Sequence, residues 1–220
     1  MEKDLIISSL STCIAEIVTL PINTIKTNYQ NLQQSIPKII TNIYKFRGIY
    51  GFYNSSLWAG SSQIISSTMK YTLYEKFKHN YSNLLAALLA GLITCSVTHP
   101  IDVFKIHYQM NNFNVTRNIL YRGFSKSLAK SAVGTTIIYP VYDYFRSYNV
   151  LLASLIAAIS ATIVTQPIDF VKSRQVYGLD IYVGYNILHY YRGLSLNLLR
   201  VVPNFTISMI LIERFKDIAR

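Results

Sequence analysis

Leu20-Pro21-Ile22-Asn23-Thr24-Ile25-Lys26, His99-Pro100-Ile101-Asp102-Val103-Phe104-Lys105 and Gln166-Pro167-Ile168-Asp169-Phe170-Val171-Lys172 align without a gap. Each copy is Pro-Ile, an Asp or Asn, two further residues and a Lys. Each closes an apolar stretch of about 15–18 residues, too short to cross a bilayer alone but long enough when continued through the proline. The first two copies run on to Gln30 and Gln109, four residues past the Lys, and the third reaches Gln175 one residue early. A motif that recurs in register marks a repeat architecture.

A second motif alternates with the first: Tyr74-Glu75-Lys76-Phe77-Lys78, Tyr142-Asp143-Tyr144-Phe145-Arg146 and Ile212-Glu213-Arg214-Phe215-Lys216. An acid is followed three residues later by a base each time. A single Pro-x-acid-x-x-base match is as well explained by a packing kink, but three interleaved with three acid-x-x-base matches are not. Small residues precede each proline at constant offsets, Ser8 and Thr12, Ala87 and Gly91, Ser154 and Ala158. Small-xxx-small spacing lets helix backbones approach closely in a membrane, and no chemistry is assigned to these positions.

The 220 residues suit one domain, 1–220, with repeats at about 1–80, 81–148 and 149–220. The chain is 51% hydrophobic and only 14% charged, against about 25% in soluble domains, which favours a membrane protein. Its apolar stretches carry Ser, Thr, Gln and single charges, as expected of a polytopic bundle with a polar interior. The net charge of +11 is spread along the chain without a basic run, which disfavours nucleic acid and fits anionic lipid headgroups. Cys13 and Cys95 give neither a disulfide framework nor a metal spacing and read as small buried residues. The first apolar segment begins by Leu5, with no separate leader visible. His79, His99, His107 and His189 show no metal spacing, and no nucleophile constellation or phosphate loop occurs, so an enzyme is not expected. Richness in Ile, Asn and Tyr suggests an AT-rich genome such as a protist or large DNA virus carries.

The two alternating motifs resemble the signature of the mitochondrial carriers. Tyr121-Arg122-Gly123 and Tyr191-Arg192-Gly193, before the second and third even helices, are similar to a further feature of that family. The resemblance covers essentially the whole chain. It departs at Asn23, where an acid is expected, and at Ile212, where an aromatic is; the acidic-Gly element is missing, with Arg47-Gly48 closest. The loops 110–123 and 176–193 are short, so their matrix helices are expected to be reduced or absent. The implied fold is an all-α membrane protein of six transmembrane helices, in three two-helix repeats with pseudo-threefold symmetry around a central cavity. The spans are placed at 4–28, 55–78, 83–109, 124–147, 150–175 and 194–216. The loops 29–53, 110–123 and 176–193 would face the matrix, where Lys38, Lys45, Arg47, Arg117, Arg122 and Arg192 outnumber Asp180. The resemblance implies a monomer in the mitochondrial inner membrane with no cofactor and with cardiolipin as bound lipid.

It also implies two rings of ion pairs that close alternately. On the matrix side Asp102 would pair with Lys172 and Asp169 with Lys26, while Asn23 faces Lys105. On the cytosolic side Glu75 would pair with Arg146, Asp143 with Lys216 and Glu213 with Lys78, aided by the hydroxyls of Tyr74 and Tyr142. With one neutral pair, the matrix ring is expected to be weaker by about 1–2 kcal/mol, and Asn23→Asp to slow its opening. The competing reading is static pairing that only holds the bundle. Substrate contacts carried over from the family fall on Ser62, Lys130 and Arg200, with Gln63 and Ser131 beside them. Lys126 lies one turn from Lys130, and Lys70 toward the cytosolic ring. Glu16, five residues before Pro21, would pair with Lys130 or Arg200, bind the amine of a zwitterion, or carry a proton. A small anionic metabolite is implied, a nucleotide or deoxynucleotide first, then a di- or tricarboxylate, then an amino acid. The reading from another class is a carrier-like receptor or scaffold that transports nothing.

Overall fold

The computed structural model describes residues 2–32, 34–145 and 147–218; for Glu2, Lys3, Asp4, Glu213, Lys216, Asp217 and Ile218 it describes the backbone alone. The described residues are helical without a strand. The helices are α1 (Glu2–Val18), α2 (Leu20–Asn31), α3 (Ile36–Arg47), α4 (Ser56–Phe77), α5 (Asn83–Gln109), α6 (Phe124–Phe145), α7 (Val150–Tyr177) and α8 (Leu194–Ile218).

The distribution of apolar residues is inverted relative to a soluble bundle. On α1, Ile6, Leu10, Ile14 and Val18 recur every fourth residue and are exposed, whereas Ser9, Ser11, Glu16 and Thr19 are buried. Such a stripe belongs against lipid. By length and composition α5, α7 and the segment Ile187–Ile212 can cross a membrane, and the bent pair of α1 and α2 makes a fourth candidate. α4 and α6, 22 residues each, are long enough at about 1.5 Å per residue and are less apolar because they carry Lys70, Glu75, Lys126, Lys130 and Asp143.

The helices form a closed ring in which α1 touches α4, α4 touches α5, α5 touches α6, α6 touches α7, α7 touches α8, and α8 returns to α1. What lets them approach is a stripe of small residues ten and six positions before each proline: Ser11 and Ala15, Ala90 and Thr94, Ala157 and Ala161, all buried. The small residues singled out in the sequence lie beside this stripe. Among them Gly91 is buried, and a Cβ there would stand 3.1 Å from Ser131 Oγ.

Two positions before each proline the stripe ends on a threonine. Thr19, Thr98 and Thr165 are buried and donate Oγ1 to the carbonyls of Ala15 (2.9 Å), Thr94 (3.0 Å) and Ala161 (2.7 Å). A hydroxyl bonded back to the carbonyl four residues earlier bends a helix, and the proline removes one further ladder bond. In the first repeat the expected span 4–28 is therefore two helices, α1 and α2, meeting at 58° across Thr19. α5 and α7 run on through Pro100 and Pro167.

The long connections share one end of the bundle, here the loop end. Residues 29–53, expected as loop, contain α3, which opens with Pro37 near its start and stops at Gly48 (φ +61°). The two shorter connections contain only the 3-10 turns Arg117–Ile119 and Ile187–Tyr191. At this end α2 contacts both α5 and α7, and α5 contacts α7.

Candidate functional site

The charged residues after each proline gather where α2, α5 and α7 converge. Asp169 there accepts from both Lys26 of α2 and Lys130 of α6. Asp102 accepts from Lys172 of α7 at 3.3 Å and from Ser62 of α4 at 2.7 Å. The third lysine, Lys105, does not rest on Asn23. Its ammonium donates to Glu16 Oε1 at 2.7 Å, and Asn23 Nδ2 reaches the same oxygen at 3.5 Å. The other oxygen of Glu16 accepts from Arg200 Nη1 at 2.9 Å and Asn204 Nδ2 at 3.4 Å. Of the partners proposed for Glu16, Arg200 is the one in contact.

Three carboxylates thus each accept from one odd-helix lysine and from the even helices, Asp102 and Asp169 from one side chain there and Glu16 from two. Lys26, Asp169 and Glu16 are buried. Charges so far from water persist only when paired, and each of these is. Below this layer, toward the loop end, neutral hydrogen bonds continue the closure. Thr27 Oγ1 donates to Gln109 Oε1 (2.7 Å), Asn28 Nδ2 to the Gln109 carbonyl (2.8 Å) and Asn31 Nδ2 to Ser173 Oγ (3.0 Å). Gln30 instead reaches the Arg192 carbonyl at 3.5 Å. The sequence reading missed Asn204, Thr27, Asn28, Asn31 and Ser173; Asn204 was findable as the residue one turn beyond Arg200 on the same face.

A cavity of about 500 Å³ extends from the ion-pair layer toward the termini, and Ser62, Gln63, Lys70, Lys130, Ser131 and Arg200 all line it. A smaller cavity of about 140 Å³ lies within the layer itself, bordered by Asn23, Lys26, Asp102, Lys105, Asp169 and Lys172. Lys126 is half-buried and lines neither cavity, because it sits a full turn nearer the loop end than Lys130.

At the termini end, Lys78 bonds Glu75 of its own helix at 2.5 Å, both side chains about a third exposed. The pairings expected for these two residues, Lys78 with Glu213 and Glu75 with Arg146, involve side chains outside the described residues, as does Lys216. Asp143 is exposed, and Tyr74 and Tyr142 are half-buried. Among the described residues no group of His, Cys, Asp and Glu is placed to hold a metal.

Residues 1–83 match the family described as mitochondrial carrier protein. A mitochondrial carrier-like protein of Acanthamoeba polyphaga mimivirus is 42% identical over 96% of this chain and 94% of its own length. Mitochondrial uncoupling protein 2 of Arabidopsis thaliana is 26% identical over 97% of this chain and 92% of its own. The mitochondrial thiamine pyrophosphate carrier of Bos taurus is 24% identical over 63% and 58%. With the triple Pro-Ile-Asx-x-x-Lys motif, the ring of helices and the shared acid layer, these similarities make this chain a member of the mitochondrial carrier family, an all-α membrane protein of six spans in a triple repeat.

Proposed function

We propose that the protein exchanges a small anionic metabolite, a nucleotide or deoxynucleotide first, across the mitochondrial inner membrane by alternating access. The observation that carries this reading is the charge of the cavity. Lys26, Lys70, Lys105, Lys130, Lys172 and Arg200 border it or its floor, against Glu16, Asp102 and Asp169. Three formal positive charges remain for a guest. A polyphosphate supplies the complement, and Arg200 can grip a phosphate in bidentate fashion. The relative named for thiamine pyrophosphate carries, by its name, a diphosphate.

In this reading Ser62, Lys130 and Arg200, with Gln63, Ser131 and Lys70, receive the anion. The layer of Lys26, Asp102, Lys105, Asp169 and Lys172 is the matrix gate, and the acid-x-x-base motifs at the termini end are the cytosolic gate. The intrahelical Lys78–Glu75 contact fits a cytosolic gate that is open while the matrix gate is shut. The repeats 1–80, 81–148 and 149–220 would then move against one another around the fixed site, with cardiolipin on the basic loop end. Two gates competing for one protein supply the two states that alternating access needs.

Exchange in proteoliposomes loaded separately with labelled nucleotides, carboxylates and amino acids tests this. Saturable exchange of the nucleotide pool, lost in Lys130→Ala and Arg200→Ala, is the expected result. Exchange of carboxylates alone would move the substrate to that class, and no exchange by folded protein would leave a carrier-like receptor or scaffold.

A further inference from the structure

We infer that Glu16 is the third carboxylate of the matrix gate, filling from two turns away the place that Asn23 leaves, and that it ties this gate directly to Arg200. The inference rests on the gating role proposed above. Asp102 and Asp169 stand two residues after their prolines, and each accepts from an odd-helix lysine and an even-helix donor. Position 23 holds a neutral amide, which cannot balance Lys105. Glu16 precedes it by seven residues, about 10 Å along a straight helix. The 58° break at Thr19 falls between the two, and the Glu16 carboxylate and the Asn23 amide meet at 3.5 Å.

Glu16 then repeats the pattern of the other two acids, with Lys105 as its odd-helix lysine and Arg200 as its even-helix donor. Its four donors, Lys105, Asn23, Arg200 and Asn204, occupy both oxygens. A carboxylate 5% exposed and so fully bonded is a built part of the layer. Asn204 also donates to Thr19 Oγ1 at 3.1 Å, which fastens this cluster to the bend itself. The consequence concerns coupling. In the Asp102 quadrant the even-helix partner is an uncharged hydroxyl, whereas here it is the guanidinium proposed to grip the anion. An anion on Arg200 competes with Glu16 for the same donor, so loading weakens the hold on the first repeat's bend.

The test uses the full chain with Cys13→Ser in oriented proteoliposomes, so that Cys95, which lines the cavity, reports access from the loop end. A membrane-impermeant maleimide is the probe. Glu16→Gln should label faster from that end by at least about tenfold, the low end of the loss expected for one charged hydrogen bond. Glu16→Gln with Asn23→Asp, which moves the acid to the ring position, should return to within about twofold of the parent, as a tenfold effect reversed by one bond implies. Lys105→Gln should give the same rise, and Asn23→Asp should not reverse it. An unchanged rate in Glu16→Gln and in Lys105→Gln overturns the inference. So does a double variant that labels as fast as Glu16→Gln, because a merely structural Glu16 would not be replaced from position 23. The same vesicles report exchange separately. The expected labelling pattern without exchange of any pool would remove the transport reading and leave Glu16 as the third acid of the layer.

Discussion

Asn197 of α8 donates its side-chain amide to Gln166 of α7 at 3.0 Å, inside the bundle and one residue before the proline. Gln166 in turn donates to the Arg192 carbonyl at 3.1 Å, so the odd helix is strapped to the start of the even helix of its own repeat. The second repeat uses the same strap with other side chains. His99 Nε2 meets the Arg122 carbonyl at 3.2 Å and its Nδ1 meets Ser127 Oγ at 2.8 Å. A carbonyl only accepts, so Nε2 carries the proton and Ser127 is the donor to Nδ1. The first repeat places Leu20 there, and Thr24 Oγ1 bonds the Phe52 carbonyl instead at 2.9 Å.

Gln166→Leu should therefore destabilise the protein by about 1–3 kcal/mol, the cost of leaving the buried Asn197 amide without its partner and the Arg192 carbonyl with only the long bond from Gln30. The unfolding midpoint in detergent should fall. Adding Asn197→Leu should recover part of the loss, and a midpoint that stays at the parent value for Gln166→Leu would remove the strap.

Asp169→Asn leaves Lys26 and Lys130 facing a neutral amide inside the bundle. Breaking a buried ion pair costs about 3–5 kcal/mol. A large drop in the thermal midpoint is expected, with partial recovery on adding Lys26→Met. Equal midpoints for parent and variant would show that water already reaches both lysines.

Ser62→Ala removes the hydroxyl that donates to Asp102 at 2.7 Å and leaves Lys172 at 3.3 Å in place. The expected cost is about 1.5–3 kcal/mol, because the acceptor is ionised. Ser62→Thr, which keeps the hydroxyl, should lie closer to the parent in a thermal shift measurement. A threonine variant as unstable as the alanine one would contradict the role of that bond.

Gly123 and Gly193 of the Tyr-Arg-Gly motifs have φ of +77° and +87°. A Cβ on Gly123 would stand 2.9 Å from Val176 Cγ2, and one on Gly193 would stand 3.2 Å from Gln30 Cγ. Left-handed backbone alone costs an L side chain about 1–2 kcal/mol. Both alanine variants should lower the thermal midpoint, Gly123→Ala the more. The order would reverse only if α7 yields more readily than the flexible Gln30.

The six spans were legible because a membrane constrains backbone so strongly. Only helices hide every N–H and C=O in hydrocarbon, and apolar runs ended by a recurring proline could hardly be anything else. The predicted ends of α4 through α8 agree with the structure to within about two residues, the usual fraying of helix boundaries. α3 was missed because it is short and buries only Ile39 and Ile43, too few to stand out beside the spans.

Spacing along one chain was enough for the all-helical membrane fold and for the recurrence of the Pro-Ile-Asx-x-x-Lys motif at the bundle's ion-pair layer. It could not decide which acid neutralises Lys105. Glu16 and Lys105 are 89 residues apart, and their contact exists only because the chain bends at Thr19 and the ring closes α8 against α1. Spacing assigns charges to faces of helices, whereas partners are chosen by the distances that packing leaves between those faces.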